Sequence, residues 1–395
     1  MLIEDPEQRA RARTAIIDIA QALAALPLDH ADSDTLVDGA VLRTYLAADD
    51  TLADDDDVAG RAIHAAIAKI PELRRASLYG GVARIGWTIA HVVDAEEADV
   101  ACAPLDEALR AVIAGGGVPD YDLIGGIVGI GVYALERGEA GRPIAEVVLD
   151  ELERRARPYG GGIGWHTEPA LLPEHQRELA PEGYWNLGVA HGIPGAIALL
   201  ARFAAAGIAP GRSRRLLDGA VALLLGAAPA ANAPRFQAWL PDRSPAGRIA
   251  WCYGDLGIAA VLLGLPEPAW RAEGLALARA CATRIADPML RDASLCHGTA
   301  GAAHVFHRMA LATGEPALAD AARTLFARTL EQRRDEPIAG FPFWSAGDHY
   351  AADASLLQGA AGVALALHAA ISDIEPAWDR LLLCDLVPRQ GDSGL

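Results

Sequence analysis

The sequence predicts an all-α protein, an α/α toroid of six to seven helical hairpins, and three observations carry this prediction. Hydrophobic residues make up 52% of the 395 residues and aromatic residues only 6%, so the apolar positions are mostly Ala, Leu, Ile and Val. Ala and Leu favour helices. A corner of the form Gly-x-x-Gly, or a near relative of it, recurs six times. Apolar segments that follow the corners alternate with amphipathic segments between them.

The steps between successive corners leave room for a helical hairpin and a loop. The leading glycines are Gly81, Gly126, Gly192, Gly254, Gly298 and Gly359. Self-similarity at this scale is typical of a repeat architecture, in which neighbouring units bury a shared core. A closed ring of hairpins would place every corner at the same end of an inner layer of helices, around one mouth.

Two kinds of helix are predicted. The segments 196–206 and 302–311 are rich in Ala and Leu and almost continuously apolar, which is typical of buried inner helices. The segments 144–156 and 317–332 carry apolar residues at spacings of three and four, with Arg and Glu between them, which is typical of outer helices. Two long turns, at 158–183 and 227–247, each lead into a corner, and we expect them to lie over the mouth.

We expect a single toroid domain over residues 1–395. Residues 1–60 are predicted to be a helical N-terminal segment with an acidic run at 49–57, which we interpret as a solvated linker. Residues 387–395 are predicted to be a frayed tail.

Charge and composition exclude several classes of partner. The net charge is −18, which argues against a nucleic-acid partner because binding to phosphates needs a basic surface, whereas a basic peptide is compatible with it. No run approaches the ~20 apolar residues of a membrane span. Residues 1–5 lack the features of a signal peptide. Five widely spaced cysteines do not read as a disulfide framework, so we expect a reducing cytoplasm.

Three soft metal ligands stand on two of the glycine corners. Cys252 lies two residues before Gly254, and the adjacent Cys296 and His297 directly precede Gly298. A turn allows neighbouring side chains to face one point, which a regular helix does not. Structural zinc sites close with four protein ligands, whereas catalytic sites keep three and leave one position open. The pattern therefore predicts a catalytic Zn²⁺ site. The other three cysteines lie in helical segments and are predicted to be core residues: Cys102, Cys281 and Cys384.

Three further polar residues stand near corners and are candidates for proton transfer and charge stabilisation. His191, directly before Gly192, is the candidate acid. Asp122 is the candidate base or orienting partner, and Arg248 the candidate stabiliser of an enolate. Structural alternatives stay open, because His191 could be a satisfied buried histidine, Asp122 a helix N-cap, and Arg248 the partner of a loop carboxylate. Two histidines within the helix after Gly298 are interpreted as structural, His304 and His307.

Taken together, these motifs resemble the lanthipeptide synthetase cyclase (LanC-type) family over roughly residues 77–367. The resemblance rests on Tyr121-Asp122-(x)3-Gly126-(x)2-Gly129, Asn186-Leu187-Gly188-Val189-Ala190-His191-Gly192, Arg248-(x)2-Trp251-Cys252-Tyr253-Gly254 and Cys296-His297-Gly298. It implies an α/α toroid, zinc ligands at Cys252, Cys296 and His297, and catalytic roles for Asp122, His191 and Arg248. Trp251 and Tyr253 are expected to line the substrate pocket. Asp255 replaces a small residue that is common at that corner.

The resemblance also implies a reaction and its partners. A zinc-activated cysteine of a precursor peptide would add to a dehydroalanine or dehydrobutyrine of the same peptide, which gives a lanthionine or methyllanthionine ring. The expected partners are the dehydrated precursor, a separate dehydratase of the same bacterial gene cluster, and an exporter. In such a biosynthetic complex the cytoplasmic chain could sit at the membrane periphery.

Three other functions stay open at the level of sequence. A LanC-like enzyme could add glutathione or another external thiol to dehydroamino acids with the same zinc chemistry. A non-catalytic, zinc-stabilised peptide-binding toroid is disfavoured by the presence of Asp122, His191 and Arg248 together. A zinc-dependent prenyltransferase toroid would need an aromatic-rich tunnel, which 6% of aromatic residues does not favour.

Overall fold

A computed structural model describes residues 1–228, 234–241, 247–345 and 349–386, and helices dominate them. The helices are α1 (Pro6–Ala24), α2 (Ser33–Ala48), α3 (Val58–Lys69), α4 (Val82–Val92), α5 (Ala95–Ala114), α6 (Ile127–Glu136), α7 (Arg142–Arg155), α8 (Glu174–Leu179), α9 (Ile193–Ala205), α10 (Pro210–Gly226), α11 (Asp255–Leu263), α12 (Pro268–Ala282), α13 (Thr299–Thr313), α14 (Pro316–Glu331) and α15 (Ala360–Ile371). The predicted tail at 387–395 and parts of the 227–247 turn lie outside the described residues.

Short strands form three antiparallel pairs. They are β1 (Arg157–Tyr159) with β2 (Gly162–Gly164), β3 (Trp185–Asn186) with β4 (Trp239–Leu240), and β5 (Phe343–Ser345) with β6 (His349–Ala351). In the described part of the chain, four short 3₁₀-helices lie at Ile70–Glu72, Pro169–Leu171, Ile338–Gly340 and Ala377–Leu382. None of the helices in the described part of the chain is long and apolar enough to cross a membrane.

The predicted inner and outer helices are present. The inner segments correspond to α9 and α13, which bury almost every residue of their first three turns. The outer segments correspond to α7 and α14, where Arg and Glu lie on the side away from the buried residues. The apolar pattern located these helices to within a few residues. A helix that is apolar on every side must be covered by other helices, whereas one with a single apolar face can lie on the outside.

Contacts divide the chain into two compact units. The first comprises Met1–Ala66, Arg248–Trp251 and Leu262–Leu395, and the second comprises Ile67–Gly247 and Cys252–Val261. In the first unit α13 packs against α14 and α15, and α15 packs against α1. In the second unit three hairpins each pair an inner with an outer helix, as α4 with α5, α6 with α7 and α9 with α10, and the inner helices α4, α6 and α9 pack in series.

The corner glycines mark the starts of inner helices for a steric reason. Five of the six leading glycines are the N-cap residues of α4, α6, α9, α13 and α15. A Cβ at Gly126 would lie 2.3 Å from the backbone N of Asp122, and one at Gly298 would lie 2.3 Å from the backbone N of Ser294. The corner thus folds back on itself more tightly than any side chain allows. Gly254 differs, since its φ of 104° is a conformation that favours glycine.

Backbone hydrogen bonds join one corner to the next within each unit. They run from Tyr79 N to Ile124 O (3.2 Å), from Leu123 N to Ala190 O (3.2 Å), from Ala190 N to Cys252 O (3.4 Å) and, in the first unit, from Cys296 N to Leu357 O (2.8 Å). Residues far apart in sequence are therefore held side by side by the main chain, before any side chain contributes.

The acidic run at 49–57 has bonding partners that the sequence did not suggest. Asp49 accepts hydrogen bonds from His368 (2.8 Å) and Ser372 (2.6 Å). Asp54 pairs with Arg43 at 2.9 Å and accepts hydrogen bonds from the first backbone N–H groups of α3. The run is thus more than a solvated linker, because two of its carboxylates fix neighbouring helices.

Candidate functional site

His191 and Asp122 form a hydrogen-bonded pair between two adjacent corners. Nδ1 of His191 lies 2.5 Å from Oδ2 of Asp122. The other oxygen of Asp122 accepts a hydrogen bond from Gly125 N at 2.7 Å, so the carboxylate is fixed by its own corner. The Asp122 side chain is 3% exposed, whereas that of His191 is 47% exposed. Asp122 is therefore positioned to orient the ring, and His191 is accessible to a ligand. The N-cap residue of α6 is Gly126 and not Asp122, and the ring of His191 is too exposed for a buried histidine.

Acidic neighbours shift the pKa values at this pair. Burial among protein atoms lowers the pKa of His191, but the hydrogen bond and charge of Asp122, with the charge of Asp120, outweigh burial and raise it above its ordinary value. Burial and the charge of Asp122 raise the pKa of Asp120 to about 6. Asp120, which the sequence reasoning missed, is thus a second carboxylate of the site. Its position two residues before Asp122 at the same corner was the available signal.

A cavity of about 660 Å³ in the second unit is lined by His191, Asp122, Asp120 and Tyr253. The ring of Tyr253 lies roughly parallel to that of His191, with 6.3 Å between centroids. The Tyr253 hydroxyl accepts a hydrogen bond from Asn186 Nδ2 at 2.9 Å, and Asn186 Oδ1 accepts one from Gly188 N at 2.8 Å. Tyr253 therefore lines the cavity, and Asn186 is the residue that holds it there. That this cavity is the substrate pocket stays a prediction.

The predicted metal ligands form a group. The ligand atoms of Cys252, Cys296 and His297 all lie within 4.8 Å of one another. Two thiolates and an imidazole are ligands that zinc commonly takes in proteins. Cys252 is buried, whereas Cys296 and His297 are partly exposed. The donor set of two thiols and one imidazole, with partial access, fits an ion that keeps one position open.

Asp292 supports the His297 side of this group. Its buried carboxylate accepts hydrogen bonds from Ser294 N (2.9 Å) and from Trp344 N (2.7 Å), and its Oδ2 lies 3.9 Å from Nε2 of His297. A separation of 3.9 Å is too long for a hydrogen bond, so Asp292 places a negative charge beside the imidazole without fixing its orientation. The three remaining cysteines are buried, so their predicted place in the core is confirmed.

Comparison with known proteins identifies the family of the chain. A model of the family described as lanthionine synthetase C-like protein matches residues 30–383. The chain belongs to the lanthionine synthetase C-like family. Its fold is similar to that of nisin cyclase, with a TM-score of 0.77 and 20% identity over 94% of this chain and 97% of that one. Nisin cyclase is an α/α toroid, so the predicted fold class is confirmed. No curated protein sequence matches the chain.

Two of the predicted site residues of this lanthionine synthetase C-like protein, Trp251 and Arg248, belong to the first unit. Trp251 is buried, and its Nε1 donates a hydrogen bond to Leu382 O at 2.9 Å. Arg248 is partly exposed. Neither residue is among those that line the cavity. A pocket-wall role for Trp251 and a charge-stabilising role for Arg248 stay predictions.

Asp255, the departure from the family pattern, has a clear structural role. Its buried carboxylate accepts hydrogen bonds from Arg235 N (3.0 Å) and Phe236 N (3.0 Å). These residues lead into β4, which pairs with β3, and β3 contains Asn186. Asp255 thus anchors the segment that supports the Asn186–Tyr253 contact. Sequence pattern could not find this, because the bonds join residues 19 and 20 positions apart through the backbone of an irregular loop.

Proposed function

We propose that the protein is a zinc-dependent lanthipeptide cyclase. It adds the thiol of a cysteine to a dehydroalanine or dehydrobutyrine of the same precursor peptide. Sulfur bonds to the β-carbon of the alkene, the thiol proton passes to solvent water, and the π-electron pair of the alkene moves onto the adjacent carbonyl to give an enolate. A proton added to the α-carbon then completes a lanthionine or methyllanthionine thioether.

The group of Cys252, Cys296 and His297 is the observation that carries this proposal. Zinc held by these residues would supply a Lewis acid that lowers the pKa of a substrate thiol from its ordinary value of ~8.5. Two sulfur donors favour alkylation of a thiol over hydrolysis, since hydrolytic zinc sites are commonly built from histidines and carboxylates. Membership of the lanthionine synthetase C-like family supports the same chemistry.

The other residues of the site move and position protons. With Nδ1 held by Asp122, Nε2 is the nitrogen of His191 through which the ring would deliver a proton to the α-carbon. The raised pKa of His191 favours the protonated ring that this step needs. Asp122 orients the ring, and Arg248 is proposed to stabilise the enolate.

The test is ring formation on a dehydrated candidate peptide, followed by mass spectrometry with alkylation of unreacted thiols. The wild type should lower the number of alkylatable cysteines without changing the peptide mass. His191→Asn should keep its zinc and lose ring formation by at least ~100-fold. Cys252→Ala should lose both the bound zinc and ring formation. His30→Asn, on a side chain that is 82% exposed, is the matched control and should behave as wild type.

Three outcomes would contradict parts of the proposal. Normal ring formation by His191→Asn would remove His191 from the mechanism. A full zinc content in Cys252→Ala would refute the ligand assignment. Glutathione adducts on a cysteine-free dehydrated peptide, without ring formation on a cysteine-containing one, would replace the intramolecular reaction by addition of an external thiol.

The proposed substrate implies the partners. A dehydratase must supply the alkene, and the dehydrated precursor peptide is the partner that this chain itself binds. An exporter of the finished peptide, and a place in a complex at the cytoplasmic membrane surface, complete the proposal. Co-purification with the dehydratase is the measurement that checks it.

A further inference from the structure

The cavity beside His191 has a second region that the proposed chemistry does not use. Besides the residues of the site, its lining includes Leu73, Arg74, Arg75, Val112 and Leu172, and we call this part the arginine groove. Val112 is an apolar lining residue whose side chain nevertheless remains 39% exposed. An apolar side chain that lines a cavity and remains in contact with water gains stability when a ligand covers it.

Two arginines give this region a charge opposite to that of the molecule. Arg74 and Arg75 are both exposed in a chain whose net charge is −18. Within the described residues, neither guanidinium forms an ion pair with a carboxylate. The carboxylates that share the cavity are engaged elsewhere, since Asp122 bonds to His191 and Asp120 accepts a hydrogen bond from Tyr121 N at 2.8 Å. The two positive charges are therefore available to an external anion.

The backbone beneath the arginines is fixed. Leu73 N donates a hydrogen bond to Ile70 O at 3.1 Å, and Arg75 O accepts one from Val82 N, in the first turn of α4, at 3.0 Å. The lining also includes Leu172, which belongs to a small buried cluster with Tyr184 and Trp239. A fixed backbone and packed side chains in the lining lower the ordering cost of binding.

We propose that the arginine groove binds a segment of the precursor peptide that carries a carboxylate side chain next to an apolar one. The carboxylate pairs with Arg74 and Arg75, and the apolar side chain covers Val112 and its neighbours. This inference rests on the proposed function, because the same cavity then holds a non-reacting part of the peptide while His191 faces the reacting part. Guanidinium groups suit carboxylate recognition through paired hydrogen bonds.

The test measures binding of labelled peptides to the zinc-loaded protein. The probe is fluorescein-labelled Gly-Ser-Asp-Leu-Leu-Gly, which contains neither cysteine nor a dehydroamino acid, and its analogues carry Asn or Lys in place of Asp. The wild type should bind the Asp peptide about fivefold more tightly than the Asn peptide at low salt, and 0.5 M NaCl should reduce this ratio. The variant Arg74→Glu/Arg75→Glu should lose the preference and favour the Lys peptide. Both positions are exposed, and circular dichroism verifies the fold.

The charge-matched control is Arg9→Glu/Arg61→Glu, at two exposed positions of the first unit, which should retain the preference for Asp. Equal binding of the Asp and Asn peptides to the wild type, or an equal loss in the control, would overturn the proposal. A third outcome would also overturn it. If the wild type shows no peptide preference and Arg74→Glu/Arg75→Glu changes the mass measured by sedimentation, the groove binds a second copy of the chain instead.

The Cys252→Ala variant separates this inference from the proposed function. It should retain the preference for the Asp peptide while it loses ring formation. A wild type that forms rings without the preference would refute the arginine groove alone, and a wild type that has the preference without forming rings would refute the cyclase alone.

Discussion

Each oxygen of the Asp122 carboxylate has a separate partner. Oδ1 accepts a hydrogen bond from Gly125 N, within the same corner, and Oδ2 meets Nδ1 of His191. The direction of the second oxygen is thus set by the backbone. A fixed carboxylate selects one tautomer and one orientation of the imidazole, which a reaction that delivers a proton to a defined carbon requires.

Asp120→Asn should stabilise the protein above pH 6. The folded-state pKa of Asp120 is about 6, above the ordinary value of 3.8, so the folded state binds this proton more tightly than the unfolded chain. The stability contributed by Asp120 is present below about pH 4 and lost as the pH rises through about 6. In urea unfolding at pH 8, the free energy of unfolding of the variant should exceed that of the wild type by ~1–3 kcal/mol, and the two should differ little at pH 4.

Asp55→Asn, on an exposed side chain of the acidic run, is the control and should change little at either pH. A gain for Asp120→Asn that is as large at pH 4 as at pH 8 would contradict the assigned pKa.

At the scale of elements, irregular segments support the cavity that the helices frame. The 158–183 turn contains the β1–β2 hairpin and α8, and it contributes Thr167 and Leu172 to the cavity lining. The described part of the other long turn, 234–241, contains β4, which pairs with β3 beside Tyr253. In the second unit, the first turn therefore lines the cavity, and the second supports the strand that carries Asn186.

Asp255→Asn should loosen the β3–β4 pair. The change removes a charged acceptor from one buried and one partly buried backbone N–H group, which should lower the unfolding free energy by ~1–3 kcal/mol. Hydrogen exchange at Leu187 N, which donates to Ala238 O at 2.8 Å, should become faster. Asp287→Asn, whose carboxylate accepts from Met289 N on an exposed turn, is the matched control. Unchanged protection of Leu187 would contradict this role of Asp255.

The contrast between helices and loops explains how far the sequence could predict the molecule. Glycine corners and apolar periodicity are local signals, so they located α9 and α13 and placed Cys252 and His297 at corners. The roles of Asn186 and Asp255 depend on bonds between distant segments, which no local pattern encodes. The pocket-wall role of Trp251 comes from its place in a motif and stays a prediction, and its buried indole donates a hydrogen bond to Leu382 O.

At the scale of the whole molecule, buried polar networks couple stability to pH. His304 is fully buried, with Nε2 3.0 Å from Asp379 Oδ2, and Arg308 Nε lies 2.9 Å from the same oxygen. Burial and the positive charge of Arg308 lower the pKa of His304 to about 3. Burial, with His304 and Arg308, has the same effect on His307, whose pKa is lowered to about 3. Both histidines are buried, which agrees with their interpretation as structural residues.

His307→Gln should make the unfolding free energy depend less steeply on pH in the acidic range. The unfolded chain binds a proton at His307 near pH 6.5 and the folded state only near pH 3, so this stability is present above pH 6.5 and lost as the pH falls toward 3. The slope of unfolding free energy between pH 4 and 6 should fall by ~1.4 kcal/mol per pH unit. The exposed His30→Gln is the control, and an unchanged slope in His307→Gln would contradict the buried neutral state.

The proposed chemistry depends most directly on what Cys252, Cys296 and His297 hold. X-ray absorption at the zinc edge, with elemental analysis of protein prepared under reducing, zinc-replete conditions, measures this. The expected result is one zinc ion per chain with two sulfur ligands at ~2.3 Å and one imidazole nitrogen at ~2.0 Å from the protein. Zinc-free protein, or a fourth ligand supplied by another side chain of the protein, would contradict the account.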